Sequence, residues 1–345
     1  MTFSAFAVKV TSLYTSTIPV TSQSAEERAK FLTPGFSQVL IKVTGNKQIV
    51  TDPRIKTHIN NGEKMMQEFS YVPNPSQTPG KPYLLKMNFD SEGINSLLRN
   101  AGVPIWGQSR PLILVWLNYE IPNKPAEIVG EDSTTGIPSQ LKLVASQRGL
   151  PIVMPVIDMA AMNEISPADI TNMNLPTITT ASKPYAADAL LISHLTKTAN
   201  GFSTQWKFIV GTDEKSGTAS GKTVDEVLSA MFDTVADSLA GQYASVMTNN
   251  VQAKLKLKVI GVTESDDFML LMDYLKHLTT VLDVQPENVD GTDVTLNISL
   301  HGTQASFIQA LSLGQKLTAV PSQTKTEVDA EPTDNTTTLV YQWNH

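Results

Sequence analysis

The chain has 345 residues, more than one ordinary hydrophobic core accommodates, and its content of 41% hydrophobic and 17% charged residues excludes wholesale disorder. A formal net charge of -7, from 26 basic and 33 acidic residues, repels a phosphate backbone and excludes non-specific nucleic-acid binding as a core function. Cysteine is absent, which excludes disulfides, thiolate zinc sites, iron–sulfur clusters and cysteine nucleophiles together.

Ala5-Phe6-Ala7 has the small-x-small form of a signal-peptidase site and reads either as the remnant of a secretory signal or as an ordinary frayed terminus. Residues 6–20 are rich in β-branched side chains and predict one strand or long hairpin arm. Ser24, followed by Glu26 and Glu27, predicts a helix start, because a hydroxyl pairs a free N–H there and carboxylates favour the positive end of the helix dipole. Apolar residues then keep helical spacing from Ala29 to Val43. Pro34-Gly35 predicts a kink or break within that helix, since proline removes a donor, and Gly45-Asn46 a stop. Asp52-Pro53 opens an expected second helix reaching Glu68; a strand over residues 83–89 and a short helix capped by Ser91 follow.

The second stretch begins with an unbroken apolar run at 112–117, the pattern of a strand covered on both faces. Further apolar runs at 150–157 and 189–195 predict strands, each preceded by a helical pattern, at 140–148 and 180–187. Residues 205–210 add another strand, and a stripe from Val224 to Tyr243 at spacings of three and four predicts a long helix. Alternation of this kind predicts a mixed sheet with helices on both sides.

In the third stretch, Leu255, Leu257 and Val259 alternate with Lys254, Lys256 and Lys258, so one strand face is buried and the other wet. A helix from Ser265, a weak strand at 284–289, a turn at Asp290-Gly291, a clean strand at 294–300, a helix near Phe307 and a last strand at 339–343 complete a βαββαβ order. Residues 322–337 read as a polar loop. The predicted fold class is thus α/β and α+β. It comprises an N-terminal α+β domain at 8–106, a central mixed α/β domain at 107–250 and a C-terminal ferredoxin-like domain at 251–345. No run of about eighteen apolar residues occurs, so no transmembrane segment is expected.

Catalytic constellations are sparse. Residues 216–223, Ser-Gly-Thr-Ala-Ser-Gly-Lys-Thr, approach a phosphate-binding loop, but Ser216 stands where the first glycine belongs, and Asp225 and Glu226 put negative charge where phosphate docks. They are expected to form a plain loop. Asp158 has the place of a ligand-contacting carboxylate at a strand end, and its expected role is a turn or cap. Asp266-Asp267 compensates a helix dipole. The histidines, at 58, 194, 277, 301 and 345, show no metal-ligand spacing, and His277 and His301 read as surface residues. The wet C-terminal sheet face carries no aromatic residue for base stacking. No catalytic, cofactor-binding or metal-binding residue is therefore assigned.

Ile18-Pro-Val with residues 24–28, Val39-Leu-Ile-Lys-Val-Thr-Gly45, residues 98–107, Arg110-Pro-Leu-Ile-Leu-Val-Trp-Leu117, residues 148–155 and residues 185–191 form a set in chain order. Together they resemble a proteobacterial family of secreted proteins, domain of unknown function 2066. Thr33-Pro34-Gly35 departs from the unbroken helix of that pattern. A weaker similarity reaches flagellar-ring proteins and the TolB N-terminal fold, by analogy of architecture. The missing catalytic constellation, the modular architecture and the export-like start lead to the expectation of a periplasmic, non-enzymatic adaptor or scaffold with other envelope proteins as partners and no cofactor, and the resemblance brings no catalytic residues to carry over. The alternatives are a structural subunit of a secretion or motility ring, or a small-ligand or nucleotide-binding α/β enzyme.

Overall fold

A computed structural model describes residues 8–74, 80–247, 253–276, 278–314, 316–320 and 338–344. The tripeptide at 5–7, His277, His345 and the polar loop at 322–337 lie outside them.

The chain starts with β1 (Val8–Lys9), turns at Ser12 and continues in β2 (Thr15–Val20). The single expected strand is therefore two, which serve different sheets: β2 pairs antiparallel with β4 below, while Val8 pairs with Arg110. Next, α1 (Ala25–Thr44) is capped by Ser24, whose Oγ accepts from the Glu27 N–H at 3.1 Å, and stopped by Gly45 in the left-handed region at φ 67°. The expected break at Pro34 does not occur, and the helix runs through it. Pro34 is exposed, so water reaches the carbonyl left without a donor, and Gly35 faces Met87 where a Cβ would stand only 2.3 Å from the methyl carbon.

The expected helix to Glu68 is likewise shorter. It divides into α2 (Pro53–Ile59) and α3 (Gly62–Met65), after which β3 (Met66–Pro73) pairs with β4 (Tyr83–Phe89). The cap of α4 (Ser91–Asn100) is Asp90, one residue before the expected Ser91, because its carboxylate accepts from the Glu92 N–H. With α1 over the three-stranded sheet β2-β4-β3, residues such as Phe36, Leu40 and Leu85 form a closed core. The stretch ends in β5 (Pro104–Ile105).

β6 (Ser109–Arg110) closes the bridge to β1, and β7 (Ile113–Glu120) is the buried axis of a six-stranded mixed sheet. β8 (Glu127–Val129) pairs antiparallel with β7; α5 (Ile137–Gln147) leads to β9 (Ile152–Val153), parallel to β7 and only two residues of the expected 150–157. Short helices α6 (Met159–Glu164), α7 (Pro167–Thr171) and α8 (Leu175–Ser182) precede β10 (Ala189–Thr198), parallel to β7, and β11 (Gly201–Val210). Residues 216–221, expected in a loop, belong to β12 (Asp213–Gly221), which pairs along its length with β11. Alternation puts Ile113, Val115 and Leu117 on one face against α5 and α9 (Val224–Tyr243), and Leu114 and Trp116 on the other against α7 and α8. Helices on both faces follow from that double burial. β13 (Ser245–Val246) then returns to pair with β5.

The last sheet contains β14 (Ala253–Ile260), β15 (Val281–Asp290) and β16 (Asp293–Leu300), with α10 (Ser265–Lys276) and α11 (Gln304–Gly314) on one face. It departs from the expected four-stranded ferredoxin-like unit. β17 (Leu317–Ala319) and β18 (Thr338–Trp343) make five strands in the order β15-β16-β14-β18-β17, and β18 runs parallel to β14. The alternation in β14 and β16 specifies a one-sided sheet but says nothing of the direction in which a final strand returns. On the wet face, Lys256 pairs with Glu287 at 2.7 Å and Lys258 with Asp293 at 2.8 Å.

Candidate functional site

The sequence between β5 and β7 joins all three sheets. Trp106 donates its main-chain N–H to the Val43 carbonyl at 2.7 Å, and its ring fills the space left by Gly45, where a Cβ would stand 2.8 Å from the indole. Gly107 faces the Thr279 side chain in the turn between α10 and β15, with room for no Cβ. Arg110 is fully buried, lies 3.9 Å from the Trp106 ring centre and spends its donors on five main-chain carbonyls: Lys42, Trp106, Gly107, Arg148 and Gly149. Arg148 continues the seam, reaching the Gly45 carbonyl at 2.8 Å, Asp237 at 2.6 Å and Asp233.

Beside this seam lies a cavity of about 360 Å³. Its walls come from Lys9 and Trp106, from Tyr243 at the end of α9, from Tyr274 on α10, from Thr280 in the turn before β15 and from Trp343 on β18. Burial raises the Tyr274 hydroxyl well above the usual tyrosine range, with a smaller push from Tyr341, so it keeps its proton.

A second feature is superficial. Around the start of α6, Val156 is 54% exposed, Met159 83% and Met162 64%. Three large apolar side chains in one short stretch form a candidate contact patch, and methionine adapts its shape to a partner. The edge of β12 is a further unpaired row of main-chain groups among the described residues.

The residues weighed from sequence are not brought together as a catalytic group. Asp158 caps α6, accepting from the Ala161 N–H at 2.9 Å. At α9, Thr223 accepts from the Glu226 N–H, and the Glu226 carboxylate accepts from the Lys222 N–H at 2.7 Å, so the chain's own carboxylate fills the place of a phosphate. Asp267 accepts from the N–H groups of Thr263 and Glu264 and from the Trp343 indole. His194 meets Glu120 at 2.8 Å, His58 is exposed and His301 is half-buried. No cluster of three metal-ligating side chains occurs among the described residues. Sequence reasoning missed the Trp106–Arg110 hub. Its one visible signal is an arginine next to an apolar run, a position that burial makes expensive unless every donor is used.

Residues 7–107 match a family described as domain of unknown function (DUF8605). The resemblance to domain of unknown function 2066 is thereby corrected. Two of its motifs have a plain structural role here: Val39–Gly45 is a helix end with a left-handed glycine stop, and 110–117 runs from the end of β6 into the buried strand β7. No curated protein matches the chain. Among solved structures, the LpoB C-terminal domain from Salmonella enterica is similar at 12% identity, over 32% of this chain and 82% of that one, with a TM-score of 0.23. Lipoprotein GNA1162 from Neisseria meningitidis is similar at 18% identity, over 39% of this chain and 96% of that one, with a TM-score of 0.22. Likeness at this level leaves function to be argued from the residues. No helix among the described residues is long and apolar enough to cross a membrane.

Proposed function

We propose that this chain is a non-enzymatic adaptor that binds other proteins in the cell envelope, on the periplasmic side. The observation that carries the reading is the exposed patch of Val156, Met159 and Met162, whose apolar surface gains free energy only when something covers it. The division into domains at 8–106, 107–250 and 251–345 belongs to the same reading, since each stretch carries its own sheet. The envelope location rests on the Ala5-Phe6-Ala7 tripeptide ahead of the first strand.

The test is mild crosslinking in the native host, followed by capture of the wild type and of a Met159→Asp, Met162→Asp double variant. A defined partner recovered with the wild type and lost with the variant supports the adaptor reading. Equal recovery with both, or none with either, defeats it, as does finding the native protein in the cytosolic fraction.

A further inference from the structure

We infer that the cavity between the β1–β6 and β5–β13 pairs and the C-terminal helices is a binding site for a small amphipathic anion, a flat apolar body bearing one acidic, acceptor-rich group. This goes beyond the adaptor reading and uses a different surface.

Size and lining set the body of the ligand. A volume of about 360 Å³ falls within the range of small-molecule pockets, and Trp106, Tyr243, Tyr274 and Trp343 give the walls aromatic area. The β1–β6 and β5–β13 pairs, the end of α9, and α10, α11 and β18 all contribute, so a bound molecule touches parts of the chain far apart in sequence.

The polar group follows from what the walls leave unpaired. Three buried side-chain polar atoms without a hydrogen-bond partner among the described residues, Trp106 Nε1, Tyr274 Oη and Thr280 Oγ1, belong to residues lining this one cavity. Native proteins leave few such atoms, and a cluster at a cavity calls for a partner. An indole N–H only donates and both hydroxyls can donate, so an acceptor group satisfies any of the three. Trp106 and Thr280 are 1% and 3% exposed, so these donors lie within the packed wall, and an acceptor reaches them only as the wall yields slightly. Charge agrees. The charged lining residues are Lys9, Lys316 and Asp273, a local positive excess on a chain of net charge -7, and Lys316 Nζ stands 5.8 Å from the Trp343 ring centre.

The experiment uses two fluorescent probes with similar naphthyl bodies, 8-anilinonaphthalene-1-sulfonate and the uncharged N-phenyl-1-naphthylamine, titrated into the full chain. The sulfonate is expected to bind saturably, one per chain, and more tightly than the uncharged probe. Lys316→Glu at the exposed rim should weaken the sulfonate about tenfold and leave the uncharged probe unchanged. Ala310→Trp, which fills the cavity, should abolish both while the melting temperature holds. If Ala310→Trp unfolds the chain, the Lys316→Glu comparison decides alone. Unsaturable binding, equal affinity for both probes, or sulfonate binding indifferent to Lys316→Glu would each overturn the assignment.

Discussion

The Arg110 guanidinium donates to the main-chain carbonyl of Lys42 at 2.5 Å, so two buried cations share a seam whose acceptors are carbonyl oxygens. Lys42 in turn donates its ammonium to the carbonyl of Thr15 at 2.8 Å and, more distantly, to that of Ser12. Burial works against both charges and pulls both pKa values down. Arginine suits the central place because a planar fork satisfies five carbonyls that a point charge leaves unpaired. Arg110→Lys is therefore expected to cost about 3–5 kcal/mol despite keeping the charge. Urea unfolding measures this; a loss below about 1 kcal/mol would show that the fork is dispensable.

Lys42 gives a pH dependence with a definite sign. Desolvation by burial, with a smaller push from Arg110, lowers its pKa from 10.5 to about 8. The unfolded chain then holds more protons than the folded one between those values, so stability rises as pH increases through that window. The rise attributable to Lys42 is about 3 kcal/mol over the full interval. Tyrosines titrate nearby, so the wild type must be compared with Lys42→Met. The difference in unfolding free energy between the two should shift in favour of the wild type from neutral pH to pH 10 and stay flat below neutrality. A flat difference throughout contradicts the burial of a charged Lys42.

Much of the fold was legible because periodicity reports burial. The run at 112–117 and the alternation at 254–259 each specify how many faces a strand hides, and both are found as expected. Met66–Pro73 was not legible, since its mostly exposed residues carry no period of two and follow a helical stretch directly. The order of the last two strands was hidden for a different reason: direction is set by long-range pairing, which local pattern does not encode. The cavity was invisible for the same reason, its walls being spread from Lys9 to Trp343.

Pro34 and Gly45 test how α1 is held. The helix keeps Pro34 at an exposed position, so Pro34→Ala restores a donor and relieves a ring clash at no packing cost. A gain of about 1–3 kcal/mol is expected. Gly45→Ala acts in the opposite direction. Its φ of 67° disfavours any Cβ, and that atom would lie 2.4 Å from Ala240 Cβ and 2.8 Å from the Trp106 ring. The combined strain and overpacking should cost about 2–4 kcal/mol. Thermal melts of the two variants should move apart; movement in the same direction would refute this account of the helix.

The last prediction concerns Gly217 and Lys222, the residues nearest to a nucleotide motif. Gly217 lies in β12 with its Cα against Trp206, where a Cβ would stand 2.5 Å from the indole, so this glycine serves close strand packing. Lys222 sits where the Glu226 carboxylate already takes the main-chain N–H that a phosphate would need. Nucleoside triphosphates with magnesium should therefore leave the melting temperature unchanged, and Lys222→Ala should alter stability by less than about 0.5 kcal/mol. Gly217→Val should instead cost about 1–3 kcal/mol through overpacking and shift the fluorescence of Trp206 as the ring is displaced. A nucleotide-dependent rise in melting temperature that Lys222→Ala abolishes would show that the β12–α9 turn opens into a phosphate cradle, against the geometry of the capped helix.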